Sequence, residues 1–148
     1  MKSKLGVAVS VFLFAGLAQA QRLEFTNPDG LTKPQPYTQV VKAGKLLFIA
    51  GQVGITADGT VVGPRMKEQL DQVLTNLATA LKSQGADFSQ VAKITVFVTS
   101  ISEYRSPEVR AVRSKHFGNN KPASTLVQIV QLADPAYQVE VEVIAVPP

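Results

Sequence analysis

The sequence contains no cysteine and only one histidine, His116. Without thiols the chain can form neither a disulfide nor a thiolate nucleophile, so cysteine catalysis and thiol redox chemistry are excluded. A single imidazole also excludes a site with several histidine ligands, and Glu108 lies further upstream than the one-turn spacing of a helical ligand pair. We therefore expect no metal ion, and we interpret His116 as a solvated or packing residue.

The chain also carries little net charge. The formal net charge is only +4, and it falls to +2 without Lys2 and Lys4, because the first 20 residues contain no acid. A charge this small and this evenly spread is not the electrostatic footprint of a nucleic-acid-binding domain. We therefore expect no nucleic acid as a partner.

The uncharged run at the start of the chain is too short to cross a membrane. It extends over the 13 residues from Leu5 to Leu17, whereas a spanning helix needs about 20. Lys2 and Lys4 precede the run, and Ala18-Gln19-Ala20 follows it as the small-x-small pattern that signal peptidase accepts. Residues 1–20 are therefore predicted to be a cleavable secretory signal, with an uncleaved anchor as the alternative. We expect a periplasmic or secreted mature chain, residues 21–148, that has no membrane attachment.

Two helices are predicted from local patterns. The first carries apolar residues at the 3.6-residue period, namely Leu70, Val73, Leu74, Leu77, Ala78 and Leu81. Its solvated face is expected to contain Gln69, Asp71, Gln72, Asn76 and Lys82, and Gly85 is expected to end it. The second helix is predicted to begin at Ser106-Pro107, a capping hydroxyl followed by proline at the first helical position.

Runs of β-branched and aromatic residues predict strands over 38–42, 46–50, 91–99, 125–132 and 138–146. The segment from Arg22 to Pro36, rich in proline and polar side chains, is predicted to be irregular. The resulting order is β-β-α-β-α-β-β, which indicates one α+β domain over residues 21–148, with a layer of helix on a layer of sheet.

The last predicted strand offers the clearest candidate for chemistry. In Val139-Glu140-Val141-Glu142-Val143 the alternation places both carboxylates on one face of the strand and the valines on the other. One interpretation is a solvated sheet face. The other is a carboxylate beside a cleft that orients water or accepts a proton.

Other candidate residues are weaker on pattern alone. Gly51, before Gln52 at the end of the second strand, allows the backbone to approach a ligand closely. Tyr37 follows Pro36 and offers a phenol for a pocket mouth, or simply a core or surface tyrosine. A basic cluster lies along the second helix and can attract an anion or form a solvated face, namely Arg105, Arg110, Arg113 and Lys115.

Taken together, these segments resemble the RidA (YjgF-type) family. The matching motifs are Pro36-Tyr37, Gly51-Gln52, Val96-Phe97-Val98, Pro122-Ala123 and the stretch from Glu140 to Val146. The resemblance implies a chorismate-mutase-like fold with two helices on one face of a mixed sheet. It also implies a homotrimer with ligand clefts between subunits, and hydrolysis of 2-imino and enamine acids to 2-keto acids and ammonia without a cofactor.

The chain departs from that family at the residue after Pro122-Ala123. Active deaminases carry an arginine there that holds the substrate carboxylate, and this chain has Ser124. By resemblance, Glu140 is the water-orienting catalytic residue, while Tyr37, Gly51, Ser124 and Thr125 bind substrate. Because a hydroxyl cannot reproduce a bidentate guanidinium, imine deamination is expected to be weakened. The alternatives are a non-catalytic ligand-binding protein and a different hydrolase that acts on an uncharged amide or imine.

Overall fold

The computed structural model describes residues 22–148. The predicted signal over residues 1–20 lies outside the described residues. The strands are β1 Leu23–Thr26, β2 Val40–Ala43, β3 Leu46–Val53, β4 Val91–Val98, β5 Ala123–Gln128 and β6 Val139–Ala145. The helices are α1 Met66–Lys82, α2 Ile101–Tyr104 and α3 Pro107–Phe117, and a 3-10 turn spans Phe88–Gln90.

The strands form one mixed sheet in the order β1-β2-β3-β6-β4-β5. Strands β4 and β5 are parallel, and the other neighbouring pairs are antiparallel. The parallel pair requires a crossover, which α2 and α3 supply. This arrangement confirms the predicted α+β class and the mixed sheet.

The core lies between α1, α3 and one face of the sheet. In the apolar stripe of α1, Val73 and the leucines such as Leu77 are buried against valines of β6 such as Val141, and Ala78 is partly buried. Helix α3 begins as predicted, because the Ser106 hydroxyl accepts a hydrogen bond from the Val109 amide and Pro107 occupies the first helical position. His116 near the end of α3 lies 2.8 Å from Asp71 of α1, so it links the two helices.

Part of the segment predicted to be irregular is a strand. Leu23–Thr26 pairs with β2 in antiparallel register as the edge strand β1, because alternating Leu23 and Phe25 fit a short half-exposed strand. The prediction of an irregular 22–36 segment is therefore wrong for these four residues. The short helix α2 was also not predicted.

Two residues assigned to the solvated face of α1 are buried instead. Gln69 is 0% exposed and Asn76 is 6% exposed. The Gln69 amide donates to the carbonyls of Gly63 and Ala136 at 3.1 and 2.8 Å, and its oxygen accepts from the Gln138 amide at 2.8 Å. Because buried polar groups are stable only when they are hydrogen-bonded, Gln69 fixes the segment before β6 against α1.

The second face of the sheet has no helix on it within the described part of the chain. Large apolar side chains on this open face remain exposed, namely Leu23, Phe25, Leu46, Phe48 and Val127. Contiguous exposed apolar patches are typical of surfaces that contact another molecule. No helix in the described residues is long and apolar enough to span a membrane.

Candidate functional site

Three of the five predicted site residues, Tyr37, Gly51 and Glu140, line one cavity of about 500 Å³ at the end of β3 and β6. The rest of its wall is mostly apolar and is formed by Thr38, Ala50, Val53, Ile55, Ala133 and Tyr137. A concave apolar space with a few polar groups is the usual form of a small-molecule site. We refer to it as the Glu140 cavity.

At Gly51 the backbone of β3 leaves room for the Glu140 side chain. The pairing of β3 with β6 shifts register between Ile49 and Gln52, a bulge that locally bends the strand. A Cβ atom at Gly51 would overlap the Glu140 carboxylate and lie 2.9 Å from its Cγ. Only glycine therefore allows this carboxylate to rest over the strand.

A buried pair of glutamines holds the two walls of the cavity together. Gln52 donates to the Gln39 side-chain oxygen at 2.7 Å, and Gln39 in turn donates to the Thr32 carbonyl at 3.0 Å. The Ala50 amide also donates to the Gln39 carbonyl at 3.0 Å. Because Gln39 follows Thr38, this network positions the Tyr37 segment beside Gly51.

The environment of Glu140 favours its protonated form. Partial burial in the mostly apolar cavity raises the pKa of the Glu140 carboxyl above its ordinary value, and the charge of Glu142 raises this pKa further. A carboxyl with a raised pKa can accept a proton from water and return it to a leaving group near neutral pH. The two carboxylates of this face therefore differ in environment, because Glu140 is half-buried whereas Glu142 is exposed.

Tyr137 is a cavity residue that the sequence analysis did not identify. It lies in the Asp134–Tyr137 turn, in which the Tyr137 amide donates to the Asp134 carbonyl at 3.0 Å. Partial burial and the charges of Asp134 and Tyr37 raise the pKa of the Tyr137 phenol. Its position three residues before Glu140, in a proline-containing turn, was the only available signal.

Glu142 lines the neighbouring cavity, of about 370 Å³, on the open sheet face. Lys93 and Thr95 of β4 stand beside it, and Thr38 and Ala50 belong to both cavities. The two carboxylates of β6 therefore lie along one continuous open surface. Within residues 22–148 no group of three or more metal-ligating side chains converges.

Ser124 and Thr125 do not join the Glu140 cavity within one chain. Their side chains point to opposite faces of β5, because successive residues of a strand alternate. Thr125 faces the open side and accepts a hydrogen bond from Lys93 at 2.7 Å. Ser124 faces the helix layer, in a third cavity of about 420 Å³.

The arrangement as a whole provides a proton acceptor, two phenols and an exposed backbone around a small apolar space. Glu140 can hold and activate a water molecule. Tyr37 and Tyr137 can donate hydrogen bonds to a bound ligand. None of the described residues that line the cavity is a cation that could bind a ligand carboxylate.

Comparison with known proteins gives consistent results. The sequence model of the family described as endoribonuclease L-PSP matches residues 30–147. The chain is 33% identical over 111 residues to a RutC family protein of Pyrococcus abyssi, covering 74% of this chain and 85% of that one. It is 35% identical over 112 residues to the 2-iminobutanoate/2-iminopropanoate deaminase of Bos taurus, covering 75% of this chain and 80% of that protein. The solved structure of YyfA of Yersinia pestis, a Rid family protein, superposes with a TM-score of 0.78 at 28% identity, covering 84% and 99% of the two chains.

Proposed function

The chain belongs to the endoribonuclease L-PSP family, which includes the RidA (YjgF-type) proteins, and on that premise we propose that it is a RidA-like hydrolase of 2-imino and enamine acids. The reaction adds water to the imine and releases a 2-keto acid and ammonia, without a cofactor. The observation that carries the proposal is the Glu140 carboxyl, held over Gly51 in an apolar cavity with a raised pKa.

In the proposed mechanism the Glu140 carboxylate accepts a proton from a water molecule as its oxygen attacks C2 of the imine. The C=N bond becomes a C–N single bond in the resulting tetrahedral adduct. Glu140 then returns the proton to nitrogen. It next takes the proton of the adduct hydroxyl and passes it to the same nitrogen, so that the keto C=O forms as the C–N bond breaks and ammonia leaves. Tyr37 and Tyr137 donate hydrogen bonds to the substrate. The Glu140 carboxyl serves first as the base and then as the acid.

The complete cleft is proposed to lie between subunits of a homotrimer. Two observations support this assembly: Ser124 and Glu140 line separate cavities of one chain, and the open sheet face exposes Phe25 and Phe48. A neighbouring copy that covers this face would bury those side chains. It would also bring its Ser124 end of β5 to the Glu140 cavity.

Imine hydrolysis is favoured here over ribonuclease activity, which the family description names. The weak net charge of the chain gives little of the affinity that proteins obtain from phosphate backbones. The Glu140 cavity is small and mostly apolar. These properties suit a small organic acid better than a nucleic acid.

The protein is also proposed to act outside the cytoplasm. The support is the sequence pattern of residues 1–20, namely two lysines, a short apolar run and Ala18-Gln19-Ala20.

A substitution at position 124 tests the proposed reaction. Wild type is expected to hydrolyse 2-iminopropanoate slowly, because β5 carries Ser124 at the position where active deaminases have the carboxylate-binding arginine. Ser124→Arg should increase kcat/KM about ten- to a hundredfold, the value of one charge-assisted hydrogen bond of about 1.5–3 kcal/mol. Product formation can be followed through the 2-keto acid.

Glu140→Gln in the Ser124→Arg background should abolish the gain while leaving the assembly unchanged, because the two side chains are nearly isosteric. Glu142→Gln is the matched control, since it removes a carboxylate from the same strand outside the Glu140 cavity, and it should keep most of the gain. A Ser124→Arg variant that neither binds nor converts any 2-imino acid would refute the proposal and favour a non-catalytic ligand-binding protein.

A further inference from the structure

The cavity around Ser124 contains an unusual concentration of guanidinium groups. Its wall contains three arginines, three hydroxyls and one apolar side chain, namely Arg105, Arg110, Arg113, Tyr104, Ser114, Ser124 and Leu126. In the part of the chain that the structure describes, no aspartate or glutamate belongs to this wall. We refer to it as the arginine cavity.

Local structure explains why these groups converge. Arg110, Arg113 and Ser114 lie at spacings of three and four residues on α3, so they share one face of the helix. Ser124 and Leu126 are two residues apart on β5 and face the same side. Arg105 is the C-terminal cap of α2 and adds its charge from the loop between the helices.

These charges are not neutralised by neighbouring acids. Within residues 22–148 the ion pairs of the helix layer are Arg65 with Glu68, and Asp71 with Lys115 and His116. None of them includes an arginine of the cavity. The Arg113 guanidinium lies 5.1 Å from the centre of the Phe117 ring, a cation–π contact that restricts its position.

The hydroxyl groups can complete an anion site. Tyr104 is half-buried, and burial raises the pKa of its phenol, so this group stays protonated and can donate a hydrogen bond. Ser114 and Ser124 offer further donors at the same wall. Planar guanidiniums with hydroxyl donors around them match the oxygen atoms of carboxylates and phosphates.

We propose that the arginine cavity binds a doubly charged oxyanion group of a small ligand, either a phosphate monoester or a pair of carboxylates. Three guanidiniums without acidic partners exceed what one carboxylate needs, so a second negative charge adds favourable interactions. The inference rests on the proposed function only in identifying the ligand as the substrate. This chain would then select imino acids with a second anionic group, in contrast to a family member whose clamp is one arginine on β5.

Titration calorimetry on the full protein tests anion binding without measuring turnover. Inorganic phosphate and malonate are the two dianionic probes, and acetate is the singly charged probe. Phosphate or malonate should bind at least about tenfold more tightly than acetate. Tighter phosphate binding would identify a phosphate monoester as the natural group, and tighter malonate binding would identify a dicarboxylate.

Variants assign the binding to this cavity. Arg110→Gln and Arg113→Gln should each weaken binding of the tighter dianion about tenfold. Arg110 is exposed, so its variant is expected to fold even if loss of the Phe117 contact disturbs Arg113→Gln. Lys82→Gln is the control, because it removes one positive charge from an exposed position at the end of α1 and should leave affinity unchanged.

Three results would overturn the assignment. The first is no binding of either dianion at millimolar concentration. The second is an equal loss of affinity in Lys82→Gln, which would indicate general attraction by net charge. The third is a single-stranded RNA that binds through the same arginines far more tightly than phosphate does, which would indicate a nucleic-acid surface. If anion binding is absent but Glu140-dependent hydrolysis persists, this inference fails and the proposed function stands. If the protein binds the anion but hydrolyses no imine, this inference stands and the proposed function fails.

Discussion

At the scale of single residues, the account depends on the contact between Gly51 and Glu140. A glycine in the β3 bulge leaves room for a carboxylate whose environment disfavours its charge. The sequence allowed both residues to be selected, because a glycine after a strand and an alternating Val-Glu pattern are local signals. The raised pKa could not be predicted, because it depends on burial by residues distant along the chain, such as Tyr37 and Ile55.

Substitution of Glu142 tests the electrostatic part of this environment. The charge of Glu142 raises the pKa of Glu140, so Glu142→Gln should lower that pKa toward the ordinary glutamate value of about 4.3, although burial will keep it above. The carboxylate form then appears at lower pH. The carboxyl titration of Glu140, followed by carbon-13 NMR, measures the change directly.

In the Ser124→Arg background the acid limb of the rate profile should shift to lower pH by the same amount. Lys93→Gln is the comparison that changes a cation beside Glu142 rather than the carboxylate itself. An unchanged or higher Glu140 pKa in Glu142→Gln would contradict the assigned coupling.

At the scale of elements, the patterns predicted the two long helices and five of the six strands, because each carries a regular period or a capping signal. They did not predict β1, since four residues give too short an alternation to be distinguished from an irregular segment. They also placed Gln69 on the wrong face of α1. Periodicity separates apolar from polar positions, but it cannot identify a polar side chain that is buried because three backbone groups need it.

Gln69 therefore offers a test at this scale. Gln69→Leu would leave the Gln138 amide and the carbonyls of Gly63 and Ala136 without their partner. An unsatisfied buried group costs about 1–3 kcal/mol, so the free energy of unfolding should fall by at least about 2 kcal/mol. Urea denaturation followed by circular dichroism measures the loss.

Gln84→Leu is the matched control, because within residues 22–148 the Gln84 side chain donates only to the exposed Ser83 hydroxyl beyond the end of α1. Its stability should stay within about 0.5 kcal/mol of wild type. A Gln69→Leu protein as stable as this control would show that the buried amide does not hold the segment before β6.

At the scale of the whole molecule, the uncovered sheet face predicts the number of chains in the assembly, and the predicted signal predicts the N-terminus of each chain. We expect a complex of three identical chains that each begin at Gln21, because a second copy can bury the exposed apolar face and residues 1–20 have the pattern of a cleaved signal. Native mass spectrometry of protein from a cell envelope fraction measures both properties.

Phe48→Asp places a charge on the open face and should produce monomers, whereas Lys82→Asp at the far end of α1 should not. A wild-type monomer at micromolar concentration would contradict the proposed inter-subunit cleft. A soluble cytoplasmic chain that retains Met1 would contradict the predicted export.

The central claim is that Glu140 of one subunit and the Ser124 end of β5 from a neighbour form one hydrolytic cleft. Mixed assemblies of two poorly active chains test it. Wild type has Glu140 but no arginine at position 124, whereas the double variant Ser124→Arg, Glu140→Gln has the arginine but no carboxyl at position 140. After refolding in equal amounts, random association should join an intact Glu140 to a substituted Ser124 at about a quarter of the interfaces. Hydrolysis of 2-iminopropanoate should then reach about a quarter of the rate of the Ser124→Arg protein. A mixture no faster than the average of its two parents would contradict the claim, because a cleft within one chain cannot be completed by mixing.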